Sequence, residues 1–259
     1  VRAKVREIQR DFKKFVDDIL VGATKFGIHK LIWDRSYASI RLEIVQNRGE
    51  RIAAAYVAAA TALRTNGDKV AEVAKDGWTN EKLVAITIRY SSIRSGRNSN
   101  LEEWVKAADW MRTVGLEPVF IPDTDQPDMK FGDHPVCKNA ALDVQYRLAL
   151  YEKAYLNIGV NNGPMALNLF SRRPVLYFRP ITHGYHESTE AFWRANGVPI
   201  RSQLPWFSIL QRIVWDGTDD CENIRLNVER WLKAKNDGKD EWPLAVAPSY
   251  PIYGVGDEE

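Results

Sequence analysis

Leu83-Val84-Ala85-Ile86-Thr87-Ile88, followed by Arg89-Tyr90-Ser91-Ser92-Ile93-Arg94-Ser95-Gly96-Arg97-Asn98-Ser99-Asn100, is the stretch from which the fold can be read. Its first part is short, rich in β-branched side chains and apolar at consecutive positions. A strand of that kind is buried on both faces, as strands are inside a parallel sheet. Its second part is polar and basic and contains a glycine. Asn100 at its end could cap a helix, with Glu102 and Glu103 in the first turn, where negative charge suits the helix dipole. Strand, loop and helix in that order make the first half of a βαβ unit.

The alternation continues toward the C-terminus. The helix runs to Gly115, and Pro118-Val119-Phe120-Ile121-Pro122 is the next strand. A loop from Asp123 to Asp133 leads to a helix near Asn139 to Ala154. Leu156-Asn157-Ile158-Gly159-Val160 is a third strand, Gly163 to Ser171 a helix, and Pro174-Val175-Leu176-Tyr177-Phe178 a fourth strand. Helices are expected at Glu187–Asn196 and Asp219–Lys235, with a short strand near Ile213-Val214-Trp215. The pattern predicts an α/β domain over 81–235, a Rossmann-like parallel sheet with helices on both faces.

Toward the N-terminus the reading changes. Residues 1–21 carry Val1, Val5, Ile8, Phe12, Phe15, Val16 and Ile19 at helical spacing. A short strand candidate lies at Lys30–Trp33, and an alanine-rich helix over 50–65 stops at Asn66-Gly67. Residues 68–80 are polar and read as a linker. Residues 1–80 are therefore expected to be mainly helical, and 236–259, dominated by Gly, Pro, Asp and Glu, an extended tail. The chain opens on Val1 directly in a helical pattern, which suggests that the true N-terminus lies upstream.

Composition narrows the function classes. With 259 residues, 45% hydrophobic and 27% charged, the chain can bury a substantial core. A formal charge of +2 argues against a nucleic-acid coat or a polybasic membrane anchor. No apolar run approaches the roughly 20 residues that span a bilayer. The two cysteines, Cys137 and Cys221, stand outside any metal-ligand spacing, so free thiols in a reducing, cytoplasmic setting are expected. Nine tryptophans are many for this length; they read mostly as core.

In an open α/β sheet, ligands bind at the carboxyl ends of the strands. Three loops there carry chemistry. The first holds Arg89, Arg94 and Arg97 among glycine and hydroxyl residues; guanidinium forks and backbone N–H groups suit a diphosphate, though a solvated basic loop would read the same way. The second is Asn161-Asn162-Gly163-Pro164-Met165, in which Gly163 allows close backbone approach or positive φ and Pro164 suits a first helical turn. Its plain alternative is a tight strand-to-helix turn capped by asparagine. The third, Asp123-Thr124-Asp125-Gln126-Pro127, could hydrogen-bond a ribose or base, or simply form a turn. His183 and His186, with Glu187 beside them, are weaker candidates for a metal or a general base, because Gly184 disfavours a helix there. No glycine-rich dinucleotide fingerprint, Walker loop or nucleophile elbow follows any strand.

The order of these segments resembles the C-terminal, nucleotide-sugar-binding half of two-Rossmann-domain (GT-B) glycosyltransferases. Asn161-Asn162-Gly163-Pro164-Met165, its helix, and Arg173-Pro174-Val175 are similar to the donor-site turn of the heptosyltransferases. Strand 84–88 with Arg89, and Ile121-Pro122-Asp123-Thr124-Asp125-Gln126-Pro127, are similar to segments of GDP-fucose-using fucosyltransferases. The resemblance covers about residues 83–216. It implies a nucleotide-diphosphate sugar as donor substrate, with Arg89, Arg94 and Arg97 on its diphosphate, Asn161, Asn162, Gly163, Pro164 and Met165 on sugar or phosphate, and Asp123 near the nucleoside. It implies no metal and no separate cofactor, since arginines neutralise the leaving diphosphate. The acceptor and the catalytic residues stay unassigned: residues 1–80, read as the remnant of an acceptor domain, are too short and strand-poor for a whole Rossmann domain. A catalytically silent nucleotide-sugar-binding or polysaccharide-assembly protein, and a sugar-nucleotide epimerase, are the alternatives.

Overall fold

A computed structural model of the chain describes residues 67–169, 173–182, 184–185, 188–195, 200–203 and 207–238. The helices expected over 1–21 and 50–65, the strand at 30–33, His183, His186 and Glu187, and the tail beyond 238 lie outside these residues.

The consecutive-apolar segments form strands, and all of them run parallel. They are β1 (Leu83–Thr87), β2 (Glu117–Ile121), β3 (Leu156–Val160), β4 (Val175–Phe178) and β5 (Gln211–Val214). Their order is β2-β1-β3-β4-β5. Every residue of β1, β3, β4 and β5 is buried, as the sequence reading requires of strands covered on both sides. The last strand begins two residues before the expected Ile213, because Gln211 and Arg212 pair with Val175 and Leu176 on β4.

Side chains on the two faces of the sheet feed separate apolar clusters. Val84 and Ile86, with Phe120, Ile158, Val160, Leu176 and Phe178, pack under two helices. One is α2 (Leu101–Thr113), which contributes Trp104, Ala107, Ala108 and Met111; the other is α7 (Cys221–Asp237), which contributes Ile224, Val228 and Trp231. Leu83, Ala85, Val119 and Ile121 face the opposite layer, made by α1 (Gly67–Lys75), α3 (Lys138–Leu142) and α4 (Val144–Lys153). Trp104 and Trp231 are fully buried, so these two of the tryptophans are core. Two short helices, α5 (Ala166–Leu169) and α6 (Glu190–Ala195), complete the described fold.

Three local expectations are corrected. The segment read as a polar linker contains α1: Val73 is buried, Lys69 pairs with Asp143 at 2.7 Å, and the Tyr146 hydroxyl donates to Asp76 at 2.8 Å. A polar stretch can be helical when its few apolar side chains meet a packed partner. The single helix expected near 139–154 is two. Asp143 takes extended backbone (φ −123°, ψ 115°), and its carboxylate accepts from the N–H groups of Gln145 and Tyr146, starting a new helix. Asn100 stands before α2, but its side chain makes no capping bond. Its backbone N–H donates instead to Asp219 at 2.8 Å.

Asp143 also makes acid stability testable. Burial works against its ionisation, but Lys69 and the two N–H donors outweigh that and hold the carboxyl below the ordinary aspartate range. A depressed carboxylate adds stability above its unfolded pKa and loses it as pH falls through the folded value. Asp143→Ala is expected to cost about 1 kcal/mol near neutrality, mostly the lost cap, since the ion pair is partly solvated. Urea unfolding across pH checks this: the gap between parent and variant should narrow in acid, and a gap independent of pH would refute it.

Candidate active site

A doubly wound sheet in this order changes direction between β1 and β3, and ligands bind outside the carboxyl ends of the strands at that point. Thr87 at the end of β1 pairs with Gly159 of β3 on one side and Ile121 of β2 on the other. The three loops singled out from the sequence therefore leave neighbouring strand ends.

The loop after β1 is built by hydrogen bonds to itself. Ser99 and Arg89 exchange bonds (Arg89 N–H to Ser99 Oγ at 3.0 Å, Ser99 N–H to Arg89 O at 2.9 Å). Asn98 closes a second ring by accepting from Ser91 N–H at 3.1 Å and donating to Ser91 O at 3.0 Å. Arg94 takes a left-handed backbone (φ 57°) before a 3₁₀ turn at Ser95–Arg97. The loop after β2 grips the first: Asp123 accepts from Tyr90 N–H at 2.9 Å, and Asp125 from the Ser91 hydroxyl at 2.7 Å.

The arginines divide the work. The Arg89 guanidinium donates to Ile93 O at 2.7 Å. Arg97 donates to Asn161 O at 3.1 Å, tying the first loop to the one after β3. A fourth arginine, absent from the sequence reading, does the most bracing. Arg179, the first residue after β4 and itself left-handed (φ 51°), donates to Asn98 O at 2.6 Å and Gly96 O at 3.0 Å. It also pairs with Asp219 at 3.2 Å. Asp219 is buried and accepts from Asn100 N–H and from Trp104 Nε1, both at 2.8 Å. A single carboxylate thus joins the β1 loop, α2 and the β4 end.

Between the loops lies a cavity of about 450 Å³. Arg89, Asp123, Asn162, Gly163 and Pro164 are among its lining residues, which brings members of all three loops to one place. Arg94, Arg97, Asn161 and Met165 do not line it. Met165 is buried below, and Asn161 accepts from the Tyr177 hydroxyl at 2.6 Å. Gly163 has neither a positive φ nor a close neighbour: a Cβ there would meet nothing within 4 Å. The strand end itself requires glycine at Gly159, where a Cβ would lie 2.7 Å from the Thr87 carbonyl oxygen.

Arg147 on α4 also lines the cavity and is only 4% exposed. No sequence signal marked it, because an arginine between Tyr146 and Leu148 in an amphipathic stretch reads as surface. Its Nε donates to Ala140 O at 2.5 Å, and its guanidinium bonds the Tyr151 hydroxyl, which meets Thr87 Oγ1 at 2.6 Å. The remaining wall is apolar, with Ile88, Ile93, Ala140, Ala141, Val144 and Leu167. Apolar walls with a few convergent polar groups are the usual make-up of small-molecule sites, and the volume falls in their range.

Among the described residues, Asp109, Asp133 and His134 are close enough together to hold a cation. None lines the cavity, and their oxygens are engaged: His134 Nε2 meets Asp109 at 2.9 Å, and Arg112 meets Asp133 at 3.2 Å. No helix is long and apolar enough to cross a membrane among the described residues.

No protein-family profile and no curated protein matches this chain. Among solved structures, the glycosyl transferase family 9 from Veillonella parvula DSM 2008 is similar over 68% of this chain and 45% of that one, with 13% identity and a TM-score of 0.41. The chain therefore spans less than half the length of that neighbour.

Proposed function

We propose that this chain carries the donor site of a glycosyltransferase that uses a nucleotide-diphosphate sugar without a divalent metal. The observation that carries the reading is the cavity at the β1/β3 crevice, in which an apolar wall adjoins Arg89 and Arg147. A nucleoside diphosphate offers the complement: a flat base for the wall and two to three negative charges for the guanidinium groups. Arg89, with Arg94 and Arg97 on the same loop, is assigned to the diphosphate. Asn162, Gly163 and Pro164, which line the cavity, are assigned to sugar or phosphate and Asp123 to the nucleoside side, with Asn161 and the buried Met165 holding the turn in shape.

Reaction would be displacement at the anomeric carbon. The acceptor oxygen attacks, the bond to the diphosphate oxygen breaks, and the leaving charge passes to fixed guanidinium donors, which is where such sites gain most rate. The base that takes the acceptor's proton is unassigned, as is the acceptor, glycan or other; an acceptor-side contribution from outside the described residues is part of the proposal. A cytoplasmic setting is part of the proposal, in keeping with the free thiols of Cys137 and Cys221; burial pushes the Cys137 thiol up to about 11 and keeps it protonated.

A thermal-shift panel of GDP, UDP, ADP, CMP and their sugars tests the reading. At a hundredfold excess over Kd, a bound nucleotide adds about 2.7 kcal/mol of stability, which raises the melting temperature by several degrees. Alanine at Arg89, Arg94 or Arg97 singly is expected to weaken nucleotide binding about ten- to a hundredfold. A parent that binds no nucleotide ends the proposal. Binding without turnover would indicate a silent nucleotide-sugar-binding protein, and conversion without acceptor an epimerase.

A further inference from the structure

The cavity holds a charge that no carboxylate among the described residues balances. Arg147 is nearly all buried, yet its partners are the Ala140 carbonyl and the Tyr151 hydroxyl, both neutral. Among the described residues no carboxylate pairs with it. A guanidinium out of water is costly unless an anion meets it. The two carboxylates in the same wall are engaged elsewhere: Asp123 accepts from the N–H groups of Tyr90 and Asp125, and Asp125 from the Ser91 hydroxyl. Two further lining residues have buried donors without an acceptor, Asn162 Nδ2 and Arg89 Nε. The surplus is thus one guanidinium charge without a counter-ion and two donors without an acceptor, and all three belong to side chains of one cavity. Buried groups of this kind call for a partner that the described residues do not supply.

We propose that Arg147 is the buried anion receptor of this cavity and takes a phosphate oxygen of its ligand, with Asn162 and Arg89 completing the donor set. The assignment rests on reading the cavity as a phosphate-ligand site, and it stands whether or not sugar is transferred. It places the diphosphate against the buried Arg147 of α4 rather than on the exposed part of the β1 loop. Arg147 is then a binding residue, oriented by Tyr151, whose hydroxyl Thr87 holds in turn.

The probe is pyrophosphate, with inorganic phosphate and GDP and UDP alongside, titrated calorimetrically into the parent and Arg147→Met. The parent is expected to bind pyrophosphate, and the variant at least about tenfold more weakly, from the loss of charge-assisted bonds. Arg147→Lys should recover only part, because an ammonium lacks the planar fork. If Arg147→Met binds pyrophosphate and nucleotide as the parent does, the assignment is overturned while the nucleotide-sugar reading survives. If pyrophosphate binds through Arg147 but no sugar nucleotide binds or is consumed, the assignment stands and the transferase reading falls. Should both variants fail to fold, a crystal of the parent soaked in pyrophosphate decides. An anion within hydrogen-bonding distance of the Arg147 guanidinium supports the assignment, and one elsewhere, or none, overturns it.

Discussion

Asp219→Ala is expected to destabilise the protein by about 3–5 kcal/mol, the loss typical of removing one partner from a buried ion pair. Three donors lose their acceptor at once: the Arg179 guanidinium, the Asn100 N–H and the Trp104 indole. Among the described residues the last two have no other acceptor for those atoms, and Trp104 is fully buried against Phe178, with ring centroids 5.6 Å apart. Arg179 would be left with only carbonyl acceptors, Asn98 O and Gly96 O. Urea unfolding measures the effect. Asp219→Asn should recover part of it, since the amide keeps an acceptor for one N–H but not the charge. Because Arg179 and Asn100 brace the loop that bears Arg89, any ligand affinity of the cavity should fall along with stability. A loss below about 1 kcal/mol would mean that the pair is solvated rather than structural.

Gly159→Ala should cost about 3 kcal/mol, near the top of what overpacking usually does. The new Cβ would lie 2.7 Å from the Thr87 carbonyl oxygen, 3.1 Å from Met165 Sδ and 3.2 Å from Thr87 Cβ. Met165 can move aside. The carbonyl cannot do so cheaply, because Thr87 is paired to strands on both sides. The β1/β3 crevice would have to open to make room. Gly163→Ala is the natural control, with nothing within 4 Å of its added methyl, and should leave the melting temperature within a few degrees of the parent. If Gly159→Ala unfolds at the parent's urea concentration, the tight strand approach is absent.

The strands were legible because each is short, apolar at consecutive positions and followed by a polar loop. Leu83–Thr87 and Leu156–Val160 needed nothing beyond that pattern. The edge on which the loops meet followed from parallel strands, which put all their carboxyl ends on one side. The site was legible only in part. Arg89, Asp123 and Asn162 to Pro164 line the cavity, whereas Arg97 is spent on the Asn161 carbonyl. Both kinds of arginine look alike in a basic loop. Arg179 was within reach of the strand-end rule, since it directly follows β4, but Asp219 lies 40 residues away from it.

By itself, the sequence determined the α/β class, the five strands to within two residues, and the loops that leave their carboxyl ends. Those properties come from local periodicity, and a strand's burial is written in its own side chains. Tertiary structure alone decided the strand order, the helix at Gly67–Lys75, the break at Asp143 and the burial of Arg147. The helix at Gly67–Lys75 depends on a partner far along the chain, Asp143 for Lys69. Arg147 has its acceptors Ala140 and Tyr151 close in sequence, and what the fold adds is the distant strand β1 packed there, with Thr87 meeting the Tyr151 hydroxyl. A guanidinium has the same sequence signature in water and in a cavity; the difference lies in the dielectric and the counter-charges that the fold assembles around it.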